Sequence, residues 1–409
     1  MNKSVAPKVV LAFSGGLDTS YCAVWLREQG FEVHTMTVQT GGFEADELSA
    51  IEQRARTLGV TSHATVDATA ELFTDYLRFL IFANALRGDV YPLSVSAERT
   101  VQAKRCVEHA VKLGVDTIAH GSTGAGNDQV RFDVAFRVLA PQLRIITPIR
   151  EQALSRDAST AYLKSRGIDV PAKTSQYSVN RGLWGTTIGG GATHSATGLL
   201  PDDAYVMTAP PDRRPATARV IEIEFKCGVP TRLDGKDLSP VRLIGELNET
   251  AGSYGVGRGM HVGDTILGIK GRVAFEAPAA VTLIAAHREL EKLVLSRQQQ
   301  FWKRTLGELY GQMMHEARYF DPLMRDLEAF LTSSQRTVSG CVRVSLSSGN
   351  AAVTGVTSAY AMLNPRVAVY GEGSSGWTGA EAAAFSKLYG IQDYLAATAA
   401  REGDHASAS

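Results

Sequence analysis

The 409-residue chain lacks the features that mark secreted and membrane proteins. Its four cysteines are widely separated and form no CxxC pair, which excludes a disulfide framework and predicts reduced thiols. No apolar run approaches the roughly 18 residues of a membrane span. The segment from Met1 to Lys8 is short and polar, without the apolar region of a secretory signal. We therefore expect a cytoplasmic protein that makes no membrane contact.

An excess of one charge is also missing. Lysine plus arginine and aspartate plus glutamate number 42 each, which removes any bulk electrostatic attraction to nucleic acid or anionic membranes. The nine histidines form no HxxxH or HExxH pattern, so we predict no metal site built from protein ligands. The remaining composition is that of an ordinary globular protein, and 409 residues favour two domains over a single core.

Short apolar runs alternate with helical patterns over the first 150 or so residues. The predicted strands are Val9–Phe13, Glu32–Val38, Ser62–Asp67, Asp116–His120 and Leu143–Pro148. The predicted helices are Thr19–Gln29, Glu47–Leu58, Arg99–Leu113 and Gln129–Leu139. This order predicts an α/β fold with a doubly wound parallel sheet, whose active site lies at the carboxyl ends of the strands.

After about Pro171 the pattern becomes that of an α+β domain. The predicted elements there are the antiparallel strand Val220–Lys226, a hairpin turn at Asp234-Gly235, a second hairpin made by Cys341–Leu346 and Ala351–Val356, and long helices from Val281 to Tyr319 and from Gly379 to Ala400. We predict a nucleotide-binding domain over residues 1–170, an α+β domain over 171–375, a C-terminal helix for subunit contacts over 376–400 and a disordered tail over 401–409.

The segment Ser14-Gly15-Gly16-Leu17-Asp18-Thr19-Ser20 joins the first strand to the first helix. Two consecutive glycines allow positive φ and a close approach of the backbone to an oxyanion. The start of the helix adds unpaired amides and the positive end of its dipole, and the three hydroxyl side chains add further donors. These features together suit a pyrophosphate group.

Two other interpretations of this loop are possible. It is not a Walker A loop, because no Lys-Ser/Thr pair follows a glycine at the required spacing. The plainer alternative is a tight turn with Asp18 as the N-cap of the helix. The position after the first strand of a doubly wound sheet favours the phosphate site.

A second glycine-rich loop begins at Gly121, directly after a predicted strand. Asn127 and Asp128 are strong helix caps, and Arg131 lies one turn beyond Asp128 on nearly the same face. An arginine fork beside free helix-terminal amides suits a small carboxylate. The plainer alternative is a capped helix with an Asp128–Arg131 pair. His120, at the end of the strand, is more often a packed, hydrogen-bonded residue than a catalyst.

These motifs carry a family resemblance. SGGLDTS resembles the pyrophosphate-binding motif of the N-type ATP pyrophosphatases, which adenylate a substrate oxygen. The segment from Ala119 to Phe132, AHGSTGAGNDQVRF, is similar to the amino-acid-binding segment of the argininosuccinate synthase family. Further matching motifs are YPLSVSAER from Tyr91 to Arg99, Tyr177-Ser178 followed by Leu183-Trp184-Gly185, and Tyr254-Gly255-Val256-Gly257-Arg258. The resemblance covers roughly residues 8 to 395.

The resemblance implies an ATP- and Mg²⁺-dependent ligase of arginine biosynthesis that joins citrulline to aspartate through a citrullyl-adenylate and releases AMP and pyrophosphate. It implies that ATP is held by Ala12, Phe13, Ser14, Gly15, Gly16, Leu17, Asp18, Thr19, Ser20, Val38 and Gly121. It implies that aspartate is bound by Thr123, Asn127 and Asp128, and citrulline by Tyr91, Ser96, Asn127, Arg131 and Ser178, with Arg99, Thr187 and Phe275 in the same substrate site. Asp128 and Arg131 are the implied catalytic residues. A homotetramer is the implied assembly, with the α+β domain as its synthetase domain.

The chain departs from the family pattern in the inferred citrulline pocket. Thr187 stands where the family usually has serine, which keeps the hydroxyl. Gly263 stands in place of a glutamate expected to meet the citrulline amino group, and Phe275 replaces a tyrosine. We expect either that a neighbouring acid, Asp264 or Glu276, takes over the charge, or that the acceptor differs at its α-amino end.

Three other functions remain open on the sequence alone. A tRNA-thiolating relative would need a reactive cysteine pair and a basic surface, and neither is visible. A ligase acting on a modified or different ureido acceptor is suggested by Gly263 and Phe275. A non-catalytic nucleotide-binding regulatory protein is disfavoured by the intact amino-acid segment.

Overall fold

A computed structural model describes residues 6–170 and 177–407 of the chain. Contacts divide the chain into two compact units, Met1–Tyr360 and Ala361–Ser409. The predicted domain of residues 1–170 and the predicted α+β domain as far as residue 360 therefore lie in the first unit, and residues 361–375 of the latter lie in the second. The predicted boundary between residues 170 and 171 adjoins residues 171–176, which lie outside the described part.

The first sheet is parallel and has five strands, in the order β3-β2-β1-β4-β5. Its strands are β1 (Lys8–Ala12), β2 (Glu32–Gln39), β3 (Ser62–Asp67), β4 (Thr117–Ala119) and β5 (Arg144–Ile146). The order reverses between β1 and β4, the point at which doubly wound sheets open a crevice at the carboxyl ends of their strands. The predicted doubly wound α/β fold is confirmed.

Helices cover both faces of this sheet. They are α1 (Leu17–Glu28), α2 (Ala45–Thr57), α3 (Thr69–Leu72), α4 (Arg78–Phe82), α5 (Ser96–Lys112), α6 (Asn127–Leu139), α7 (Pro148–Glu151) and α8 (Arg156–Lys164), with a π-helical turn over Phe73–Leu77. Alternate residues of β1 serve different cores, because successive side chains of a strand point to opposite faces. Val9 and Leu11 pack with α1 and α2, whereas Val10 packs with α5 and α6.

The rest of the first unit holds two further sheets. The strands are β6 (Ser178–Gly182), β7 (Gly185–Gly189), β8 (Arg219–Lys226), β9 (Val229–Leu233), β10 (Lys236–Asp237), β11 (Arg258–Asp264), β12 (Lys270–Glu276), β13 (Gly340–Ser347) and β14 (Asn350–Thr357). One sheet has the order β10-β9-β8-β13-β14 and the other β11-β12-β7-β6. Both predicted hairpins are present, and the alternation of β8 buries Ile221, Ile223 and Phe225 on one face.

The long helix predicted from Val281 to Tyr319 is wrong, because the structure divides it into two. The helices of this part are α9 (Pro240–Ser253), α10 (Pro278–Val294), α11 (Arg297–His315) and α12 (Pro322–Ser334), with short 3-10 turns over Gly191–His194, Asp202–Ala204, Pro211–Arg213 and Gln335–Thr337. Leu295 is extended, and Ser296 begins α11 with a capping box completed by Gln299. The Ser-x-x-Gln signal was present in the sequence.

The second unit contains two helices, α13 (Gly379–Tyr389) and α14 (Ile391–Ser407). A single helix was predicted over this region, but Gly390 interrupts it. Thr378 caps α13 together with Glu381. The helix α14 also runs to Ser407, so the predicted disorder from residue 401 is wrong for residues 401–407.

Candidate functional site

The two predicted glycine-rich loops lie next to each other at the reversal point of the parallel sheet. The first leads from β1 into α1, and the second leads from β4 into α6. A methyl group added to Gly121 would lie 3.3 Å from the backbone nitrogen of Thr19 and 3.3 Å from its Cγ2. The absence of a side chain at Gly121 therefore lets the second loop approach the start of α1.

The first loop presents a helix start with free backbone amides. Gly16, not Asp18, is the N-cap of α1, and no side chain caps this end, so the plainer alternative of a turn capped by Asp18 is wrong. Gly15 has φ +72°, a conformation that favours glycine. Ser14 and Gly16 are exposed. The loop therefore offers uncapped N–H groups at the positive end of a helix, which suits an anion.

Hydroxyl groups hold this loop in shape. The Thr19 hydroxyl donates to the Gly16 carbonyl at 3.3 Å, and Ser14 Oγ and Thr19 Oγ1 are also 3.3 Å apart. Ser20 is fully buried, donates to the Gly15 carbonyl and accepts from Arg54 Nε at 3.2 Å. Ser20 is thus a support of the loop, while Ser14 and Thr19 lie at its surface.

The other predicted ATP residues surround the loop. Ala12 ends β1, and Phe13 and Leu17 are buried beneath the loop in the core that α1 and α2 share. Val38 lies near the carboxyl end of β2 and is buried. Asp18 is in the first turn of α1, where burial raises the pKa of its carboxyl and the charge of Arg156 opposes that effect.

The carboxylate of Asp128 lies between two arginines. Its Oδ2 accepts from Arg99 Nε at 2.8 Å, and its Oδ1 accepts from Arg131 Nη1 at 2.9 Å. Burial by itself raises the pKa of Asp128, but the charges and hydrogen bonds of Arg99 and Arg131 outweigh it and hold the pKa at about 2. The carboxylate is therefore fixed and ionised, which makes it a positioning group and a weak base.

Arg131 is held by a residue that the sequence did not point to. Its Nη2 lies 3.2 Å from His315 Nδ1, and both Nε and Nη2 donate to the His315 carbonyl, at 3.3 and 3.1 Å. Because the guanidinium can only donate, His315 Nδ1 accepts, so the ring carries its proton on Nε2. The 184 residues between the two partners leave no local sequence signal.

Asn127 and Thr123 occupy different environments in the second loop. Asn127 Oδ1 accepts from the backbone nitrogen of Ile266 at 2.8 Å, which ties the start of α6 to the β11–β12 turn. Thr123 is exposed. His120 Nε2 lies 2.9 Å from Asp133 Oδ1, and its Nδ1 accepts from the Ser122 backbone nitrogen. His120 is thus a hydrogen-bonded residue packed below the loop, as predicted.

Strands β6, β7 and β12 bring the remaining polar residues towards Arg99. Arg99 Nη2 donates to Asn180 Oδ1 at 2.9 Å. Ser178 lies two residues earlier on β6, on the same strand face, and is exposed. Thr187 is opposite both Asn180 and Phe275 in the sheet register. Ser96 is fully buried at the start of α5, and its hydroxyl has no partner among the described residues.

An aromatic cluster closes the other end of the substrate region. The Tyr91 ring stacks on His261 at 5.7 Å between centroids and lies 5.2 Å from the Phe275 ring. His261 and Gly263 share a face of β11. A methyl group at Gly263 would lie 2.5 Å from His261 Nε2, so the imidazole occupies the space that a side chain at position 263 would need.

Neither acid expected to compensate at Gly263 is available. Glu276 is fully buried and accepts four hydrogen bonds, from the backbone nitrogens of Val206, Met207 and Thr208 and from the Thr208 hydroxyl. Asp264 is half exposed and pairs with Lys270 at 2.7 Å. The expectation that one of these carboxylates takes over the charge is therefore not supported by the structure.

The fold and the site together are typical of a nucleotide-binding protein with an adjoining polar site. Comparison with known families agrees: residues 8–169 match the arginosuccinate synthase N-terminal HUP domain, and residues 177–396 match the arginosuccinate synthase C-terminal domain. The chain belongs to the argininosuccinate synthase family.

Individual relatives are similar over nearly their whole length. The argininosuccinate synthase of Methanocaldococcus jannaschii is 40% identical over 389 residues, covering 94% of this chain and 97% of that protein. The argininosuccinate synthase of Bacillus subtilis is 41% identical over 364 residues, covering 89% and 90%. That of Xanthomonas axonopodis is 40% identical over 393 residues, covering 95% and 94%.

Proposed function

We propose that this protein is an AMP-forming ligase that uses ATP to join the amine of aspartate to the ureido carbon of a citrulline-type acceptor, giving argininosuccinate from citrulline. The observation that carries the proposal is the adjacency of two loops with different chemistry. An uncapped helix start suited to pyrophosphate lies against a loop that leads to Asp128, Arg99 and Arg131.

In the first step, the ureido oxygen attacks the α-phosphorus of ATP. A new oxygen–phosphorus bond forms, the bond to the β-phosphate oxygen breaks, and pyrophosphate leaves into the loop of Ser14–Ser20. Such transfers depend on positioning and on charge stabilisation, so fixed backbone amides suffice and no protein nucleophile is required. Ala12, Phe13, Val38 and Gly121 shape the surface that holds the nucleotide.

In the second step, the neutral amine of aspartate attacks the activated ureido carbon. The carbon–nitrogen bond forms, and AMP leaves with the former ureido oxygen. Asp128 orients the amine, and its arginine partners keep it ionised. With a pKa of about 2, the carboxylate is a poor proton acceptor, so its role is to bind and position. The amine loses its first proton before attack.

Mg²⁺ is proposed to bind together with ATP. Among residues 6–170 and 177–407, no group of three or more histidine, cysteine, aspartate or glutamate side chains is arranged to hold a metal ion. We propose that Mg²⁺ is held by phosphate oxygens of the nucleotide and spreads their charge.

We further propose a homotetramer in which the C-terminal unit makes subunit contacts. Its two helices leave an apolar set of side chains more than half exposed: Phe385, Leu388, Tyr389, Tyr394 and Leu395. Exposed apolar surface of this extent favours burial against another chain. The domains assigned to residues 1–170, 171–375 and 376–400 belong to the same proposal.

The proposed location is the cytoplasm, where ATP and free amino acids are available. No helix in the described part of the chain is long and apolar enough to cross a membrane. The thiols of Cys22 and Cys106 are buried and unpaired.

Pyrophosphate release tests the proposal directly. The purified protein is given ATP, Mg²⁺ and a ureido acceptor, with and without aspartate, and AMP and pyrophosphate are measured. We expect both products in equal amounts and sustained turnover only when aspartate is present. Release of ADP and phosphate, or no turnover with any ureido acceptor, would contradict the proposed ligase and favour a nucleotide-binding regulatory protein.

A further inference from the structure

The acceptor end of the site is built from uncharged imidazoles and aromatic rings. His315 is 6% exposed, and its Nε2 has no hydrogen-bond partner in the described part of the chain. Nε2 of His261, a half-buried residue that stacks on Tyr91, also has no hydrogen-bond partner there. Two buried, unpartnered ring nitrogens in one region are unusual, because burial without a partner costs free energy. They indicate a place for a ligand group.

The proton position on His315 defines what that ligand group must be. Arg131 donates to Nδ1, so Nε2 carries the hydrogen and presents an unpaired donor. Burial lowers the pKa of His315 to about 2, and the charges of Arg131 and Arg87 act in the same direction. The Asp264 backbone acts against them, although it is not within hydrogen-bond distance of Nε2. The ring is therefore neutral, and its Nε2–H group is a hydrogen-bond donor. The matching group on the substrate is a hydrogen-bond acceptor.

The charges around the two imidazoles argue against an ammonium group there. Arg131 and Arg87 both contribute positive charge near His315. Three nearby carboxylates are engaged: Asp128 by two arginines, Asp264 by Lys270 and Glu276 by four donors. A fourth acid, Glu98, has no partner for its Oε1 among the described residues, but burial raises its pKa and favours the uncharged form. An ammonium group has only hydrogen-bond donors. At this place it would face the His315 donor and the positive charges of Arg87 and Arg131, without a counter-ion.

We infer, on the basis of the proposed ligase function, that the preferred acceptor is a ureido amino acid whose α-nitrogen is uncharged because it is acylated. The amide carbonyl accepts from His315 Nε2, and the amide is tolerated beside Arg87 and Arg131 because it carries no positive charge. Phe275 contacts Tyr91, and Tyr91 stacks on His261, so the surroundings of the acyl group are aromatic and uncharged.

The test compares two acceptors that differ only in this group. Pyrophosphate release with ATP and aspartate is measured with citrulline and with Nα-acetylcitrulline. We expect kcat/KM for Nα-acetylcitrulline to be at least about tenfold higher, because polar mismatches in a site built for hydrogen bonding are strongly discriminated. Equal or higher kcat/KM for citrulline overturns the inference while leaving the ligase intact. No aspartate-dependent release with either acceptor overturns the ligase and the inference together.

A pair of variants tests the cause of the preference. His261→Ala removes the imidazole that fills the space at Gly263 and adds no charge, so it is the matched control. His261→Ala combined with Gly263→Glu adds a carboxylate in that space. We expect the double variant to raise kcat/KM for citrulline by about tenfold over the single variant, because an ion pair becomes available to the ammonium. No rise, with ATP affinity and circular dichroism unchanged, overturns the inference.

Discussion

Gly121 lies directly against Thr19, so close that a methyl group on Gly121 would be 3.3 Å from the Thr19 backbone nitrogen. This contact joins the end of β4 to the start of α1 and places two loops of different chemistry side by side. We propose that this contact brings the α-phosphorus of a nucleotide held at α1 towards the amino-acid loop and so couples ATP cleavage to amino-acid ligation.

Gly121→Ala should weaken ATP binding. The added methyl group must displace the first turn of α1 or the second loop by a few tenths of an ångström, which changes the amides that hold pyrophosphate. We expect Kd for ATP to rise about tenfold, the equivalent of about 1.4 kcal/mol. Gly124→Ala is the control in the same loop, because its methyl group would meet Arg150 at an ordinary 3.5 Å. Equal ATP affinities in the two variants would contradict this role.

Gly15→Ala should remove ATP binding by forcing a side chain into the left-handed region. Gly15 has φ +72°, and its added Cβ would lie 3.0 Å from Ile51 Cγ1. Gly114→Ala is the control, since Gly114 has φ +61° with open space around it and no place in the site. Both variants should lose about 1 kcal/mol of stability, but only Gly15→Ala should lose ATP affinity, measured by calorimetry. The same affinity in both would argue that the loop does not bind pyrophosphate.

Asp128→Ala should remove aspartate-dependent turnover and leave ATP binding largely intact. The substitution deletes the carboxylate that we propose orients the amine and leaves Arg99 and Arg131 without their shared partner. We expect kcat/KM for aspartate to fall by about a hundredfold or more. Glu108→Ala, which removes a more exposed acid from α5, should change neither quantity. A parallel loss of ATP binding in Asp128→Ala would refute this division of roles.

The pH dependence of turnover follows from the low pKa of Asp128. Because this pKa of about 2 lies below the ordinary value, the carboxylate is protonated only as the pH falls towards 2 and is ionised throughout the range of pH 5 to 8. The plot of kcat/KM for aspartate against pH should therefore show no inflection from Asp128 in that range. An inflection between pH 5 and 7 that disappears in Asp128→Asn would mean that this residue acts as the base.

Glu276→Gln should affect stability rather than acceptor choice. The carboxylate accepts four hydrogen bonds from the segment Val206–Thr208, and an amide can accept fewer of them. We expect a lower thermal unfolding midpoint, with a loss of about 1–3 kcal/mol, and an unchanged ratio of activities with citrulline and Nα-acetylcitrulline. A change in that ratio at unchanged stability would place Glu276 in the acceptor site.

Local sequence signals predicted the strand, loop and helix at the start of the chain well. The apolar run of β1, the two glycines and the amphipathic helix α1 are adjacent in the chain, so their geometry follows from short-range rules. The break between α10 and α11 was missed although Ser296 and Gln299 marked it. Apolar residues continue at helical spacing on both sides of this capping signal, so their periodicity favoured one uninterrupted helix.

Distant contacts were beyond the reach of the sequence. Arg131 and His315 are 184 residues apart in the sequence, and no motif near either residue predicts their hydrogen bonds. The filling of the space at Gly263 by His261 depends on a side-chain conformation that only packing against Tyr91 and Gly88 determines. At the acceptor end, the sequence therefore shows that Gly263 departs from the family pattern. It does not show that the His261 ring fills the space beside Gly263.

The path of the ureido oxygen tests the central claim most directly. An acceptor labelled with oxygen-18 in its ureido group is incubated with the protein, ATP and aspartate. The AMP formed is then analysed by mass spectrometry. We predict that each AMP carries one labelled oxygen on its phosphate, because the ureido oxygen attacks the α-phosphorus and leaves with it. Unlabelled AMP, with the label retained in the condensed product or released to water, would contradict adenylation of the acceptor.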